Sequence, residues 1–94
     1  NFNTPTSVYF SQDPTRERTV LELVTGDQPG LLSMIGRVFH KRGIRVDAAK
    51  IATIGERAED VFFITDRKGQ PIRDAHTLDQ LAEVLTRTLD RSEN

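Results

Sequence analysis

The residues best suited to chemistry in this chain fall in one run, Thr25-Gly26-Asp27-Gln28-Pro29-Gly30-Leu31-Leu32. A glycine-bracketed joint that opens a helix offers unpaired backbone N–H groups and the positive end of the helix dipole. Asp27 and Gln28 add side-chain acceptors and a donor. An α-amino acid needs that pairing: N–H donors for its carboxylate and an acceptor for its ammonium. The same residues also suit a plainer purpose, with Asp27 or Gln28 capping the helix, Pro29 at its first position and Gly30 shaping the turn.

Nothing else in the sequence assembles a reaction. The two histidines, His40 and His76, are far apart and each falls near a helix end, where a surface role is expected. No cysteine is present, which removes disulfides and thiolate metal sites. There is no glycine-rich phosphate loop with its Lys and Ser or Thr, and no nucleophile triad. The chain is therefore expected to catalyse nothing itself and to hold no cofactor. Thirteen basic against fourteen acidic residues, interspersed, give a net charge of −1, which argues against a nucleic-acid partner. No apolar run reaches the roughly 18 residues of a membrane span, and no signal segment opens the chain. A start at Asn1 rather than Met points to a piece of something longer.

The elements that must position the joint can be read from periodicity. Residues 1–5 are polar and expected to be disordered, as are 92–94, leaving 6–91 as a single domain. A short strand is predicted over 7–11 and a turn over 12–17. A central strand follows over 19–25, apolar on both alternate sets except at Glu22. The first helix runs to about Arg42, with Leu31, Leu32, Ile35, Val38 and Phe39 as its apolar stripe and Gly43 as its left-handed terminator. A long strand over 44–54 changes phase, Ile44 and Val46 on one set of positions and Ala49 and Ile51 on the other, so a bulge is expected near 47–49. A hairpin at Gly55-Glu56-Arg57 leads to a strand over 59–65, with Glu59 and Asp60 read as solvent-facing charges. After the turn Asp66-Arg67-Lys68-Gly69, a second helix is signalled by Asp74 or by the Thr77-x-x-Gln80 capping box and ends near Asp90.

The order β-β-α-β-β-α predicts an α+β fold, a four-stranded antiparallel sheet with two helices on one face. A ferredoxin-like sheet ends on a strand that is missing here, while an extra strand is present at the start. The first strand is predicted to take the missing one's place. The face without helices would then expose apolar side chains, and a second copy or a neighbouring domain is expected to cover it. A domain this small also gains from a partner surface.

The run from Asp27 to Leu32, followed by Gly43-Ile44-Arg45-Val46, resembles the signature of ACT domains, and the likeness covers roughly residues 18–90. Lys50-Ile51-Ala52-Thr53-Ile54-Gly55-Glu56-Arg57-Ala58-Glu59-Asp60-Val61-Phe62 resembles more narrowly the C-terminal ACT domains of bacterial PII uridylyltransferase/uridylyl-removing enzymes. That resemblance implies a ferredoxin-like ACT sandwich and a cytoplasmic parent enzyme that responds to glutamine in nitrogen control. The catalytic domains of such a parent would lie outside this chain and would use Mg2+. Implied partners are glutamine or another small amino acid, a second ACT domain or a homodimer mate, and the PII signal protein. The ligand would be held by Asp27, Gln28, Pro29, Gly30, Leu31 and Leu32, with Arg45, Val46, Asp47 and Ala48 supplied by the paired domain. Arg45 departs from family members that carry an amide there. Rival readings are a ligand-free interaction module and the ACT tail of a guanosine tetraphosphate synthetase; the 51–62 run speaks against the latter.

Overall fold

The computed structural model describes residues 4–92. The disorder expected at both ends falls mainly on residues outside that range; Thr4 and Pro5 lead into the first strand without regular structure, and residue 92 closes the last helix. The elements are β1 (Ser7–Gln12), β2 (Thr19–Gly26), α1 (Leu31–Lys41), β3 (Arg45–Lys50), β4 (Thr53–Ile54), β5 (Arg57–Thr65) and α2 (Ala75–Ser92). Among the described residues the strands form one antiparallel sheet in the order β1-β2-β5-β3, with β4 paired to β5.

The predicted topology is present. β1 pairs antiparallel with β2 from Ser7↔Val24 to Gln12↔Thr19, the outer position that a terminal last strand would otherwise take. β3 and β4 are the expected long strand interrupted at Ile51 and Ala52, since Lys50↔Val61 and Thr53↔Ala58 keep one register along β5. The Glu59 N–H donates to the Ala52 carbonyl within the gap, at 2.9 Å. Four rows of strand therefore make the sheet. The phase change is a bulge at Asp47, where pairing slips by one residue between Val46 and Ala48.

The strand period of two sorts β2 and β5 by face. Thr19, Leu21, Leu23 and Thr25 of β2 and Ala58, Asp60, Phe62 and Ile64 of β5 are buried beneath the helices. Leu31, Ile35, Val38 and Phe39 of α1 and the fully buried Leu81, Leu85 and Leu89 of α2 close that core. Each such leucine contributes about 1.5–3 kcal/mol relative to an exposed one. Phe39 meets Phe62 edge to face at 5.4 Å between centroids.

The opposite face carries Val20, Val24, Val61 and Phe63, all half-buried, and an exposed Tyr9. The Arg18 guanidinium lies over the Phe63 ring at 4.2 Å, so the chain partly covers this face with its own cation. Arg18 is held there by ion pairs to Asp13 and to Asp47, which joins the 13–18 turn to the β3 bulge. Asp13 also accepts the N–H of Thr15, and that bond together with Arg18 holds its carboxyl well below the usual carboxylate range.

Two turns follow the expected chemistry. Gly43 ends α1 with φ 69°, and Asp66 accepts the N–H groups of Lys68 and Gln70 through one carboxylate oxygen. Asp74, rather than the Thr77 box, caps α2: its Oδ2 accepts both the N–H and the hydroxyl of Thr77.

Candidate functional site

β2 ends with Gly26 opposite Arg57, and the Asp27 N–H adds one more sheet bond to the Glu56 carbonyl at 2.8 Å. The chain then leaves the sheet and turns into α1 at Gly30, whose φ of 75° is a left-handed conformation that favours glycine. This corrects the expected cap. The helix begins at Leu31 with Gly30 at its N-cap position, Pro29 lies outside it, and neither Asp27 nor Gln28 caps it. The Gln28 amide instead donates across to the Leu89 carbonyl in the last turn of α2, at 3.2 Å. The Leu31 N–H donates to the Gln28 carbonyl at 3.3 Å; without a side-chain cap, the next first-turn N–H groups, those of Leu32 and Ser33, are left to solvent or a ligand.

Below the loop, three polar side chains tie the chain start to the sheet and to α2. The Thr6 hydroxyl donates to Asp90 Oδ1 at 2.6 Å and accepts from the buried Thr25 hydroxyl at 2.8 Å. The loop that carries Asp27 and Gln28 is thus anchored by backbone on one side and by Gln28 and Thr25 on the other.

A cavity of about 330 Å³ opens where this loop faces the hairpin. That is near the lower end of the range for small-molecule sites. Asp27, Gln28 and Gly30 form one side, Leu31, Leu32 and Ser33 of α1 another, and Ile51, Thr53, Ala58 and Asp60 the third. Leu32 and Ile51 are half-exposed at this cavity rather than buried in the core, so Leu32 leaves the predicted apolar stripe.

Asp60 overturns its sequence reading. It shares the parity of Ala58, Phe62 and Ile64, lies on the helix-covered face and is only 2% exposed. Its Oδ1 accepts the Ala52 N–H at 3.3 Å, while Oδ2 is buried without a partner. Burial pushes its carboxyl pKa up, the Ala52 N–H partly opposes this, and the negative charge of Asp27 adds to the rise. Period-two alternation along β5 was the signal that could have found Asp60; the adjacent Glu59, which does point to the other face, obscured it.

Arg45, Val46, Asp47 and Ala48 lie elsewhere. Arg45 pairs with Thr65 at one end of β5, whereas Gly26 pairs with Arg57 at the other. At about 3.3 Å per residue the two ends are about 26 Å apart. Val46 and Ala48, opposite Ile64 and Phe63, lie about 23 and about 20 Å from the Arg57 end, so within one chain none of the four lines the cavity beside the Asp27 loop. Arg45 donates to the Arg67 carbonyl at 3.2 Å and Asp47 pairs with Arg18, while Val46 and Ala48 are exposed on the free edge strand. His40 and His76 are exposed at helix ends.

A larger depression of about 680 Å³ lies between the end of α1 and the segment before α2. Its two carboxylates are already committed, Asp66 to its turn and Asp74 to its cap. The smaller cavity, with a buried carboxylate oxygen left unbonded, is the chemically poised one.

The model of the ACT domain family matches residues 19–86, the span from β2 into α2. The chain belongs to the ACT domain family. It is also 51% identical over 72 residues to a bifunctional uridylyltransferase/uridylyl-removing enzyme of Methylococcus capsulatus, covering 77% of this chain and 8% of that protein. Against the protein so described from Pseudomonas putida it is 45% identical over 89 residues, 95% of this chain and 10% of the relative. The Pseudomonas syringae counterpart is 48% identical over 82 residues, 87% and 9% of the two chains. This ACT domain thus spans about a tenth or less of the length of these curated relatives.

Among the described residues of the ACT domain, no group of three or more His, Asp or Glu side chains converges to hold a metal. No described helix is long and apolar enough to cross a membrane.

Proposed function

We propose that this ACT domain is the amino-acid-responsive regulatory part of a PII uridylyltransferase/uridylyl-removing enzyme, with glutamine as its ligand. The observation that carries the proposal is the cavity at the uncapped start of α1. It combines the N–H groups of Leu32 and Ser33, suited to a carboxylate, with the carboxylates of Asp27 and Asp60, suited to an ammonium. Identity of 43–51% to segments of enzymes so described supports the choice of parent. In this reading the parent works in the cytoplasm, its catalytic domains modify the PII signal protein with Mg2+, and cavity occupancy biases them between adding and removing the uridylyl group. A paired ACT domain would add its own residues 45–48, because one chain holds them about 20–26 Å from the loop. Calorimetry on a form that retains the paired domain, comparing glutamine with glutamate and repeated with Asp27→Ala, tests this. Heat from glutamine that is weakened by the substitution is expected; no heat from glutamine in that form removes the sensing role.

A second reading, a docking module without a ligand, draws on the exposed Tyr9, Val46 and Ile54. A dimer by light scattering, together with no thermal shift from any of the twenty amino acids, would favour it.

A further inference from the structure

Among the described residues, Asp60 is the one buried group whose chemistry the fold leaves unfinished. Its Oδ1 bond to Ala52 ties β5 to the gap between β3 and β4, but that bond uses one oxygen of the two. The cavity wall offers no Lys or Arg. From the loop it presents Asp27, a second acid; from α1, Leu31, Leu32 and Ser33; from the hairpin, Ile51 and Thr53. Asp27 is the titratable neighbour that acts on Asp60, and it does so repulsively. A buried carboxylate beside a second acid, with no protein cation, is costly when ionised. Elsewhere the chain supplies cations to its half-buried acids, as Arg18 does for Asp13. Here the balancing charge is left to whatever fills the cavity.

We propose that Asp60, rather than Asp27 alone, is the anchor for the primary ammonium of the cavity's ligand, and so the residue that distinguishes amino acids from plain carboxylic acids. The inference rests on the amino-acid reading above and names the residue that enforces it. Oδ2 is buried at the cavity wall, and a small turn about Cβ–Cγ, a soft torsion, would bring it toward the cavity with Oδ1 still within reach of the Ala52 N–H. The apolar walls Leu31, Leu32 and Ile51 disfavour a bare metal ion and suit an organic cation. Because Asp60 also holds Ala52, the ammonium would be bonded to the same side chain that fixes the edge-strand gap. Ligand arrival is thereby felt at the free edge of the sheet.

The test uses a form that retains the paired domain, isotope-labelled in this chain, with L-glutamine and with glutaramic acid, the same molecule lacking the α-ammonium. Glutamine should bind at least tenfold more tightly, and Asp60→Asn should weaken glutamine by about tenfold to a hundredfold with little effect on glutaramic acid. Glutamine affinity should rise with pH through the titration of Asp60 in the native chain and be flat in Asp60→Asn, a difference that a merely structural carboxylate would not produce. In the unmutated chain, glutamine should also lower the pKa read from the Asp60 carboxyl carbon, a measurement independent of any variant's folding. Equal glutamine affinity in native and Asp60→Asn chains, or an Asp60 titration unmoved by glutamine, overturns the role of Asp60 while leaving the amino-acid site standing. Failure of the native form with its paired domain to bind either compound at millimolar concentration overturns both.

Discussion

A buried carboxylate with one oxygen unpartnered makes a definite statement about stability. Asp60 has its pKa raised in the folded chain, so between its unfolded and folded values the native state holds a proton that the unfolded state has lost. Stability therefore falls as pH rises through that window, beginning near the ordinary Asp value of about 3.9. Above the folded pKa the full penalty is in place. The penalty is that of a buried polar group left without a partner, about 1–3 kcal/mol and more when charged. Asp60→Asn keeps the acceptor for the Ala52 N–H and removes the charge. Its new amide donors resemble the hydroxyl of the protonated acid, so the two chains should be close in stability at pH 3.5. By pH 8 the variant should be the more stable by at least about 1 kcal/mol. Urea unfolding of the empty chains across that range gives the difference curve, which cancels the titrations common to both. A variant less stable than the native chain at pH 8, or a gap independent of pH, would refute the reasoning.

Other expectations are simpler. Thr19→Val should cost about 1–3 kcal/mol in urea unfolding, because the Thr19 hydroxyl is the acceptor for the buried Ile72 N–H at 2.8 Å and valine fills the space without replacing it. A loss below about 0.5 kcal/mol would mean that water substitutes. Leu85→Ala removes a side chain with no exposed surface at the centre of α2 and should cost about 2–5 kcal/mol, seen as a lower thermal midpoint. Asp13→Asn acts in the opposite pH direction to Asp60. The Asp13 pKa is lowered in the fold, so its contribution is present above the unfolded value and is lost as pH falls toward the folded one. The native chain should be the more stable at pH 7, with the gap closing below about pH 4.

Much of the fold was legible because strand parity and helix stripes are dictated by burial. The phase change between Val46 and Ala49 located the bulge, and the surplus strand at 7–11 located the substituted edge of the sheet. What was not legible turned on side chains with two outlets. Asp27 and Gln28 have the composition of a cap, but the left-handed Gly30 completes the turn by backbone, and Gln28 finds the Leu89 carbonyl, 61 residues along the chain. Asp60 has the composition of a surface charge, but its position in an otherwise apolar alternation decides its face. The break at Ile51 and Ala52 depends on the Asp60 side chain accepting the Ala52 N–H, a contact that local propensity does not encode.

The central claim is that an amino acid sits between the start of α1 and the β4–β5 hairpin. Titrating a form that retains the paired domain, isotope-labelled in this chain, with L-glutamine and following every backbone amide tests it most directly. Saturable shifts should concentrate at residues 27–33 and 51–60 and leave the larger depression around Arg42 and Ile72 unmoved. Shifts confined to that depression, or none at millimolar glutamine, would contradict it.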